Sequence, residues 1–262
     1  MLKNIYTPLA GALSQERALE TIANNLANVN TVGFKGDRVS FKMLAAEPYD
    51  NYPDPLPPAN YKVNMQELSP LVGNELSYVG IADISKDYSQ GPAITTHNKF
   101  DLMIEGEGFF QVLTPEGVRY QRGGDLSVSN EGALVNKFGE PILGEKGLIQ
   151  VRSQDFQVNP KGEIYQDGQL VDQIQIMKFK DPTRIEHIGG GKVFFGGSPD
   201  QVEFSKKARI QQGFLEGSNV NPMKNLTAMI VSHRSYEAYQ KAVSNYDKIM
   251  DKSSNTIGEV RA

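Results

Sequence analysis

The residues of this sequence that could do acid–base chemistry are few. Glu105 and Glu107 stand two positions apart in Glu105-Gly106-Glu107-Gly108, and side chains at i and i+2 share one face of a strand. Two carboxyl groups on one face could form the acid/base pair that cleaves glycosidic bonds. No nucleophile motif or oxyanion-donor motif accompanies them, and carboxylate pairs are common in hairpins. The pattern therefore favours a structural hairpin over a catalytic site.

The histidines do not form a metal-binding pattern. His97, His187 and His233 are far apart, and none has the HExxH spacing of a zinc site. His233 falls on a helical stripe, where an interface histidine is more typical than a ligand, while His97 and His187 adjoin turn residues. The absence of cysteine excludes disulfides, thiolate zinc sites and cysteine nucleophiles. We therefore expect no metal, no cofactor and no enzymatic activity.

Composition is that of an ordinary globular chain. Its 262 residues suffice for a hydrophobic core, and the net charge of −4 comes without a basic block. We therefore expect no nucleic-acid partner. No run of about 18 apolar residues exists, so no membrane insertion is expected. Gln15, Glu16 and Arg17 interrupt the first apolar run, which argues against a cleaved signal peptide and for export, if any, by an uncleaved terminus.

A long amphipathic helix is predicted over residues 2–29. Steps of three and four residues place seven apolar residues on one face, and Leu13 and Ile22 widen the stripe. The spacing averages 3.5 residues, as a coiled-coil seam requires. Gly33 is expected as the glycine that ends this helix. The seven stripe residues are Leu2, Ile5, Leu9, Ala12, Leu19, Ala23 and Leu26.

A second long helix is predicted over residues 222–253, followed by a frayed tail. Asn221 and Pro222 have the residue types of an N-cap and a first helical position. The two helices pair either with each other, covering a β-domain within one monomer, or with copies from other subunits. The stripe of the second helix comprises Leu226, Met229, Ile230, His233, Tyr236, Tyr239, Val243, Tyr246, Ile249 and Met250.

Between the helices, the sequence predicts β-structure. Glycine turns punctuate residues 95–214, which predicts an all-β central domain, with one continuous strand over 173–180. Residues 36–94 are predicted as an extended linker. Its five prolines at 47–59 exclude a regular helix or central strand, and this stretch is either a plain surface connection or a contact to a neighbouring subunit. The fold class is mainly β with α-helical termini that pair in a coiled-coil-like layer.

Three segments resemble the signatures of the flagellar basal-body rod and hook protein family. Residues 23–35, ANNLANVNTVGFK, resemble its N-terminal signature. Residues 95–112, TTHNKFDLMIEGEGFFQV, and the glycine-rich continuation over 120–144 are similar to its central segment. Residues 215–241, LEGSNVNPMKNLTAMIVSHRSYEAYQK, resemble its C-terminal signature. Length, residues 5–7 and the form of 215–222 favour the proximal-rod over the distal-rod subclass.

The resemblance implies a structural subunit that is exported unfolded by the flagellar type III apparatus. Such proteins assemble with copies of themselves and with other rod proteins, through terminal helices, into a periplasm-spanning shaft that transmits torque to the hook. Residues 1–35 and 215–262 would form the assembly domain. We expect its interface to include Leu9, Leu19, Ile22, Asn24, Asn25, Leu26, Asn28, Asn30, Gly33, Phe34, Asn219, Asn221, Leu226, Met229, Ile230, Arg234, Tyr236, Glu237 and Val243.

Two other functions compete with this interpretation. A β-sandwich binding module, such as an adhesin, would need an exposed aromatic platform, and the chain has no Trp but 11 Tyr and 12 Phe. A cell-wall hydrolase would rest on Glu105 and Glu107. The cluster of Arg234, Tyr236 and Glu237 is equally open, since it is either a solvated helical face or a contact that sets register between helices.

Overall fold

A computed structural model describes residues 5–44, 78–151, 156–181, 184–189, 191–205 and 207–259. The predicted proline-rich stretch at 47–59 and Leu2 lie outside these residues. The chain divides into two compact units, each with its own internal packing. The helical unit comprises Met1–Asn25, Asp37–Lys86 and Met223–Ala262, and the β unit comprises Leu26–Gly36 and Asp87–Pro222.

In its described residues, the helical unit contains two helices and one hairpin. Helix α1 spans Tyr6–Ala27, with its last two residues assigned to the β unit. Strands β1 (Asp37–Leu44) and β2 (Tyr78–Lys86) pair antiparallel, with a bulge between Ser40 and Phe41. Helix α2 spans Pro222–Glu259. Each helix thus comes from one end of the sequence, as the stripes predicted.

The helix ends differ from the predictions in two places. Helix α2 begins at Pro222, which confirms the predicted start, but it continues to Glu259. The predicted fraying from residue 254 is wrong because no proline or glycine interrupts the sequence before Gly258. Helix α1 ends at Ala27, two residues early, because the amides of Val29 and Thr31 bond to the carbonyls of Leu26 and Asn28 in short turns.

The β unit is an assembly of short antiparallel strands. A six-stranded sheet has the order β15-β16-β6-β5-β14-β17, and β11-β12-β13 form a three-stranded sheet. Four two-stranded sheets accompany them in the described residues: β3–β19, β4–β18, β7–β8 and β9–β10. The strands are β3 (Ala93–Thr95), β4 (Leu102–Glu105), β5 (Phe109–Thr114), β6 (Gly117–Gln121), β7 (Leu126–Val128), β8 (Leu134–Asn136), β9 (Leu143–Gly144), β10 (Gly147–Leu148), β11 (Gln157–Val158), β12 (Glu163–Gln166), β13 (Gln169–Gln173), β14 (Ile176–Phe179), β15 (Ile185–Gly189), β16 (Lys192–Phe195), β17 (Val202–Phe204), β18 (Arg209–Gln212) and β19 (Phe214–Glu216).

This architecture confirms a mainly β chain with a helix toward each end. The coiled-coil-like layer remains a prediction. The single strand predicted over 173–180 is wrong, since β13 ends at Gln173 and β14 begins at Ile176. Ile174 leaves the ladder because its amide bonds to the carbonyl of Gly162 and it bridges to Gly144 instead.

The core of the β unit follows from strand alternation. In β5, Phe110 and Val112 point inward and are fully buried, while Phe109 and Gln111 are half-buried. Burying alternate side chains on one face is what a half-covered sheet requires. Leu102, Ile104 and Ile210 join the same cluster from other strands, and Ile142 joins it from the position before β9. A second cluster, around Phe179 and Phe195, lies on the six-stranded sheet.

Candidate functional site

Glu105 is the last residue of β4 and Glu107 lies beyond it, so the two residues do not belong to one strand as the acid/base interpretation assumed. Gln211 donates a hydrogen bond to Glu105 at 3.0 Å, and Lys178 forms an ion pair with Glu107. The hydrogen bond and the charge of Lys178 hold the pKa of Glu107 below its ordinary value. A catalytic acid needs the opposite shift, because it must keep its proton at neutral pH. Both carboxylates therefore serve surface structure.

The buried face of α1 is built from small and polar residues. Pro8, Gly11, Ala12, Ser14, Ala18, Thr21 and Asn25 are buried. A Cβ added to Gly11 would lie 2.6 Å from ring carbons of Tyr239, so the tyrosine of α2 packs directly on bare backbone. Ser14 donates to the carbonyl of Val79 at 3.1 Å. These small residues allow α1 to approach the hairpin and α2 closely.

Asn25 links the end of α1 to the first strand of the hairpin. Its side-chain amide donates to the carbonyl of Asp37, and its side-chain oxygen accepts from the amide of Asp37, both at 2.8 Å. This pair of bonds resembles one rung of a β-ladder made by a side chain. The carboxylate of Asp37 in turn accepts from Lys86 at 2.7 Å, across the hairpin. The asparagine of the N-terminal signature therefore orients the hairpin.

Large apolar residues lie on the outer faces of both helices. In α1, Tyr6, Leu9 and Leu13 are 43–63% exposed, and in α2, Met223, Leu226 and Ile230 are 41–71% exposed. Each set has the spacing i, i+3, i+7, which places its members on one side of a helix. We call these six residues the apolar rows. Two such rows on the surface of one small unit indicate an interaction site.

The other face of α2 forms a half-buried seam. Steps of four and three residues connect Asn225, Met229, Ser232, Tyr236, Tyr239 and Val243, all of which are half-buried. This heptad spacing is that of a helix packed along a neighbour. Arg234 and Glu237 are exposed, and Glu237 lies 3.5 Å from His233. The two faces of α2 thus differ, with the seam partly covered and the apolar row open.

The β unit contains a buried cluster of charged groups around Glu216, the last residue of β19. Glu216 is 1% exposed and lies between Lys35 and Arg122. Lys35 donates to one carboxylate oxygen at 2.6 Å, and Nε of Arg122 donates to the other. The amide of Gly91 donates to Glu216 at 2.9 Å. We call Lys35, Arg122 and Glu216 the Glu216 cluster.

Every strong donor of the Glu216 cluster has an acceptor. The guanidinium of Arg122 also donates to the carbonyls of Gly108, Ile104 and Gly106, at 2.5, 2.8 and 2.7 Å. Buried ions are tolerated only with such additional bonds. Burial alone would raise the pKa of Glu216, but the charge of Arg122 and the bond from Lys35 outweigh it and hold that pKa below its ordinary value. Burial lowers the pKa of Lys35, and its bond to Glu216 offsets part of this.

Asn219 and Gly33 hold three chain segments beside this cluster. The Asn219 side chain accepts from the amide of Gly36 at 2.8 Å and donates to the carbonyl of Asp87 at 2.7 Å. Gly33 has φ +67°, and a Cβ there would lie 2.6 Å from the amide nitrogen of Gly123. Gly33 was predicted to end α1, but it lies six residues beyond Ala27. Its bare backbone is needed for this close approach.

The structure distributes the predicted interface residues among three environments. Asn25 is buried, and its hydrogen bonds are internal. The exposed residues are Leu9, Asn24, Asn30, Asn221, Leu226, Ile230, Arg234 and Glu237. The half-buried residues are Leu19, Ile22, Leu26, Asn28, Gly33, Phe34, Asn219, Met229, Tyr236 and Val243.

Sequence reasoning missed the Glu216 cluster, although a signal for it exists. Lys35 ends the N-terminal signature, Arg122 lies in the central run, and Glu216 lies in the C-terminal signature. Because the charges of three family-like segments include both signs, they could have suggested an ion network. Sequence alone does not show which charges are buried, however, and a solvated charge is the commoner case.

Three family models match this chain in sequence order. Residues 5–35 match "Flagella basal body rod protein", residues 103–176 match "Flagellar hook protein FlgE/F/G D1 domain", and residues 211–256 match "Flagellar basal body rod FlgEFG protein C-terminal". The matched ranges contain all six residues of the apolar rows and all three members of the Glu216 cluster, since Lys35, Arg122 and Glu216 fall in one range each.

Characterised relatives match the chain over nearly its whole length. The flagellar hook-basal body complex protein FlhO of Bacillus subtilis is 30% identical, covering 99% of this chain and 100% of the relative. The flagellar basal-body rod protein FlgF of Mesorhizobium japonicum is 27% identical, with 98% and 99% covered. The flagellar basal-body rod protein FlgG of Borreliella burgdorferi is 28% identical, with 97% and 98% covered. Because relatives named FlgF and relatives named FlgG match about equally well, the assignment of this chain to the proximal-rod subclass remains a prediction.

Proposed function

Because the chain belongs to the family of flagellar basal-body rod and hook proteins, we propose that it is a structural subunit of the rod and assembles there through its two terminal helices. It is not an enzyme, since the rod proteins of this family are structural. The adhesin alternative is not supported, because the relatives that match the whole chain are rod and hook–basal body proteins.

The apolar rows are the observation that carries this proposal. Six large side chains on the outer faces of α1 and α2 remain in water in the single chain. Burying one such side chain contributes about 1.5–3 kcal/mol, and the helices themselves are already ordered by their inner faces. Contact with a neighbouring copy would therefore stabilise an assembly.

The two rows differ from each other, which favours an open assembly. A tyrosine and two leucines form the row of α1, whereas α2 presents Met223, Leu226 and Ile230. When one surface binds a different surface of the next copy, the contact repeats without closing unless the rotation forms a ring. Such contacts build a helical shaft that can transmit torque from the motor to the hook.

Location and delivery follow from the same proposal. The shaft would span the periplasm as part of the flagellar basal body, next to other rod proteins. Export through the type III apparatus would use the uncleaved N-terminus. In the part of the chain that the structure describes, neither helix combines the length and the apolar character needed to cross a membrane.

A pair of matched leucine substitutions tests the proposal in a host from which the gene has been deleted. Leu13→Glu places a charge in the apolar row of α1, where Leu13 is 55% exposed. Leu170→Glu makes the same change in the β unit, where Leu170 is 51% exposed. We expect the Leu13→Glu chain to fold but to give no rods and no swimming, and the Leu170→Glu chain to restore both.

Circular dichroism of the purified variants and electron microscopy of basal bodies supply the measurements. Normal rods in the Leu13→Glu strain would contradict assembly through α1. Equal loss of rods in both strains, with both chains folded, would also contradict it, because the apolar row would then have no special role.

A further inference from the structure

The β unit contains a cleft beside its second core cluster, and the lining includes Phe179 of that cluster and Phe109, which packs against it. Its volume is about 480 Å³, within the range of about 300–1,000 Å³ that is common for ligand sites. Tyr88, Phe109 and Phe179 form an aromatic floor, in which Tyr88 meets Phe109 edge-on at 6.1 Å and Phe109 tilts against Phe179 at 5.3 Å. Aromatic faces of this kind bind apolar or proline-rich groups.

Positive charge predominates at the walls of this cleft. Lys35, Arg122, Lys178 and Lys180 line it, against one carboxylate, Glu107. Lys35 and Arg122 already bind Glu216, but Lys178 and Lys180 are 51% and 55% exposed in ion pairs with Glu107 and Glu203. Exposed ion pairs contribute only about 0–1 kcal/mol. These two lysines can therefore exchange their partners for the carboxylates of a ligand.

The matching chemistry is an extended, acidic, proline-rich segment, and this chain contains one. Residues 47–59, EPYDNYPDPLPPA, hold five prolines, two tyrosines and three acidic residues without one basic residue. Closely spaced prolines favour the polyproline II conformation, which binds aromatic grooves at little entropic cost. Residues 47–59 lie outside the described residues, and their match to the cleft is inferred from their composition.

We propose that the cleft binds residues 47–59 of a second copy of this chain. Prolines and tyrosines would lie on the aromatic floor, and the acidic side chains would pair with Lys178 and Lys180. The inference rests on the proposed function, because the rod supplies the neighbouring copy. Each copy offers this cleft and this segment, so the contact is between two different surfaces and repeats from copy to copy unless the rotation forms a ring.

A labelled peptide tests the recognition outside any assembly. The protein is the full chain with residues 47–59 replaced by a glycine–serine linker of equal length, so that its own segment cannot compete. Fluorescein-labelled EPYDNYPDPLPPA is added, and fluorescence anisotropy gives the affinity. We expect saturable binding that weakens about tenfold in the double variant Lys178→Glu/Lys180→Glu.

Matched controls separate the cleft from general attraction between opposite charges. Lys146→Glu/Lys161→Glu makes the same charge change at two exposed lysines elsewhere in the β unit and should leave the affinity unchanged. A peptide with all prolines replaced by alanine keeps the charge and should compete poorly. Absent binding, equal weakening by both double variants, or equal competition by the alanine peptide would overturn the proposal. Displacement by soluble cell-wall glycans but not by unlabelled peptide would assign the cleft to a sugar and overturn it too.

Cross-linking tests whether the segment comes from a second copy. The chain has no cysteine, so single-cysteine variants give a clean background. Differently tagged Asp54→Cys and Lys180→Cys chains should form a mixed disulfide in assembled rods, whereas Asp54→Cys with Lys161→Cys should not. A disulfide that forms only within one doubly substituted chain would overturn the second-copy proposal. Peptide binding does not require a rod, so its failure would leave the result of the Leu13→Glu test unaffected.

Discussion

The β unit and the helical unit bury different kinds of residue. In the β unit, Leu102, Ile104 and Phe110 are among many large side chains that are fully buried. In the described part of the helical unit, the buried hydrophobic residues are Ala12 and Ala18, while Leu13 and Ile230 are exposed. The β unit thus has a complete core of its own. The helical unit has close packing on its inner face and leaves large apolar side chains such as Leu13 and Ile230 exposed.

The two units place large apolar residues differently, buried in the β unit and exposed in the helical unit. Hydrophobic burial within the chain stabilises the β unit before any partner is present. If the proposed assembly through the helices is correct, the helical unit would gain this contribution only when a neighbour binds its folded state.

Deleting a large side chain from each unit tests the comparison with the largest expected effect. Phe110→Ala empties a fully buried site in the β unit and should lower the free energy of unfolding by about 3–5 kcal/mol. Phe41→Ala removes the same side chain from β1, where Phe41 is 45% exposed, and should change it by less than about 0.5 kcal/mol. Urea titration followed by circular dichroism measures both. Equal losses would show that the helical unit has a hidden core.

Removing the charge of Glu216 tests whether the β unit depends on its ion network as well as its apolar core. Glu216→Gln leaves two buried cations without a counter-charge and should cost about 3–5 kcal/mol of unfolding free energy, the lower end if the amide keeps its hydrogen bonds. Glu203→Gln is the control, since its pair with Lys180 is more than half exposed and should contribute less than about 1 kcal/mol. If Glu216→Gln left the free energy of unfolding in urea unchanged, packing alone would hold these three segments together.

A substitution at Gly33 tests the close approach of its backbone to Gly123, beside the Glu216 cluster. Gly33→Ala should cost about 2–3 kcal/mol, because the positive φ strains alanine and its Cβ collides with backbone. Gly139 has a similar φ of +79°, but a Cβ added there would meet no other part of the fold within 4 Å. Gly139→Ala should therefore cost only the backbone strain of about 1 kcal/mol. Thermal unfolding of both variants measures the difference. Identical shifts in melting temperature would indicate that the chain at Gly33 can move aside.

The smallest effect is a pH dependence confined to the β unit. The folded-state pKa of Glu216 is lowered, so the stability it contributes is present above the unfolded pKa, about 4.3 for a free glutamate, and is lost as pH falls through the folded value. Unfolding free energies at acidic pH should therefore fall more steeply for the wild type than for Glu216→Gln. Parallel curves would show that other carboxylates dominate acid unfolding.

Much of the local structure could be predicted from the sequence because its signals are local. Helical periodicity predicted both helices, and Asn221 followed by Pro222 gave the start of α2. Strand alternation predicted a mainly β middle. The signals failed where local preference was weak, as at the end of α2, or where tertiary hydrogen bonds diverted the chain, as at Ile174.

The face by which α1 packs could not be predicted from the apolar stripe. Leu9 and Leu13 belong to that stripe but lie in the open row, whereas Gly11, Ser14 and Asn25 are buried. Burial there depends on how closely the hairpin and α2 approach, and small residues permit the closest approach. Hydrophobicity alone therefore did not predict which face of α1 packs inside the unit, and the role of the exposed apolar face in assembly remains a prediction.

By itself, the sequence determined the helices, the strand-rich middle and the family, because periodicity and short signatures are properties of neighbouring residues. Only the tertiary structure decided which charges meet. Lys35 and Glu216 are 181 positions apart, and Arg122 and Glu216 are 94 apart. An ion pair depends on distance and burial in space, and neither quantity exists until the strands have paired and brought these three segments together.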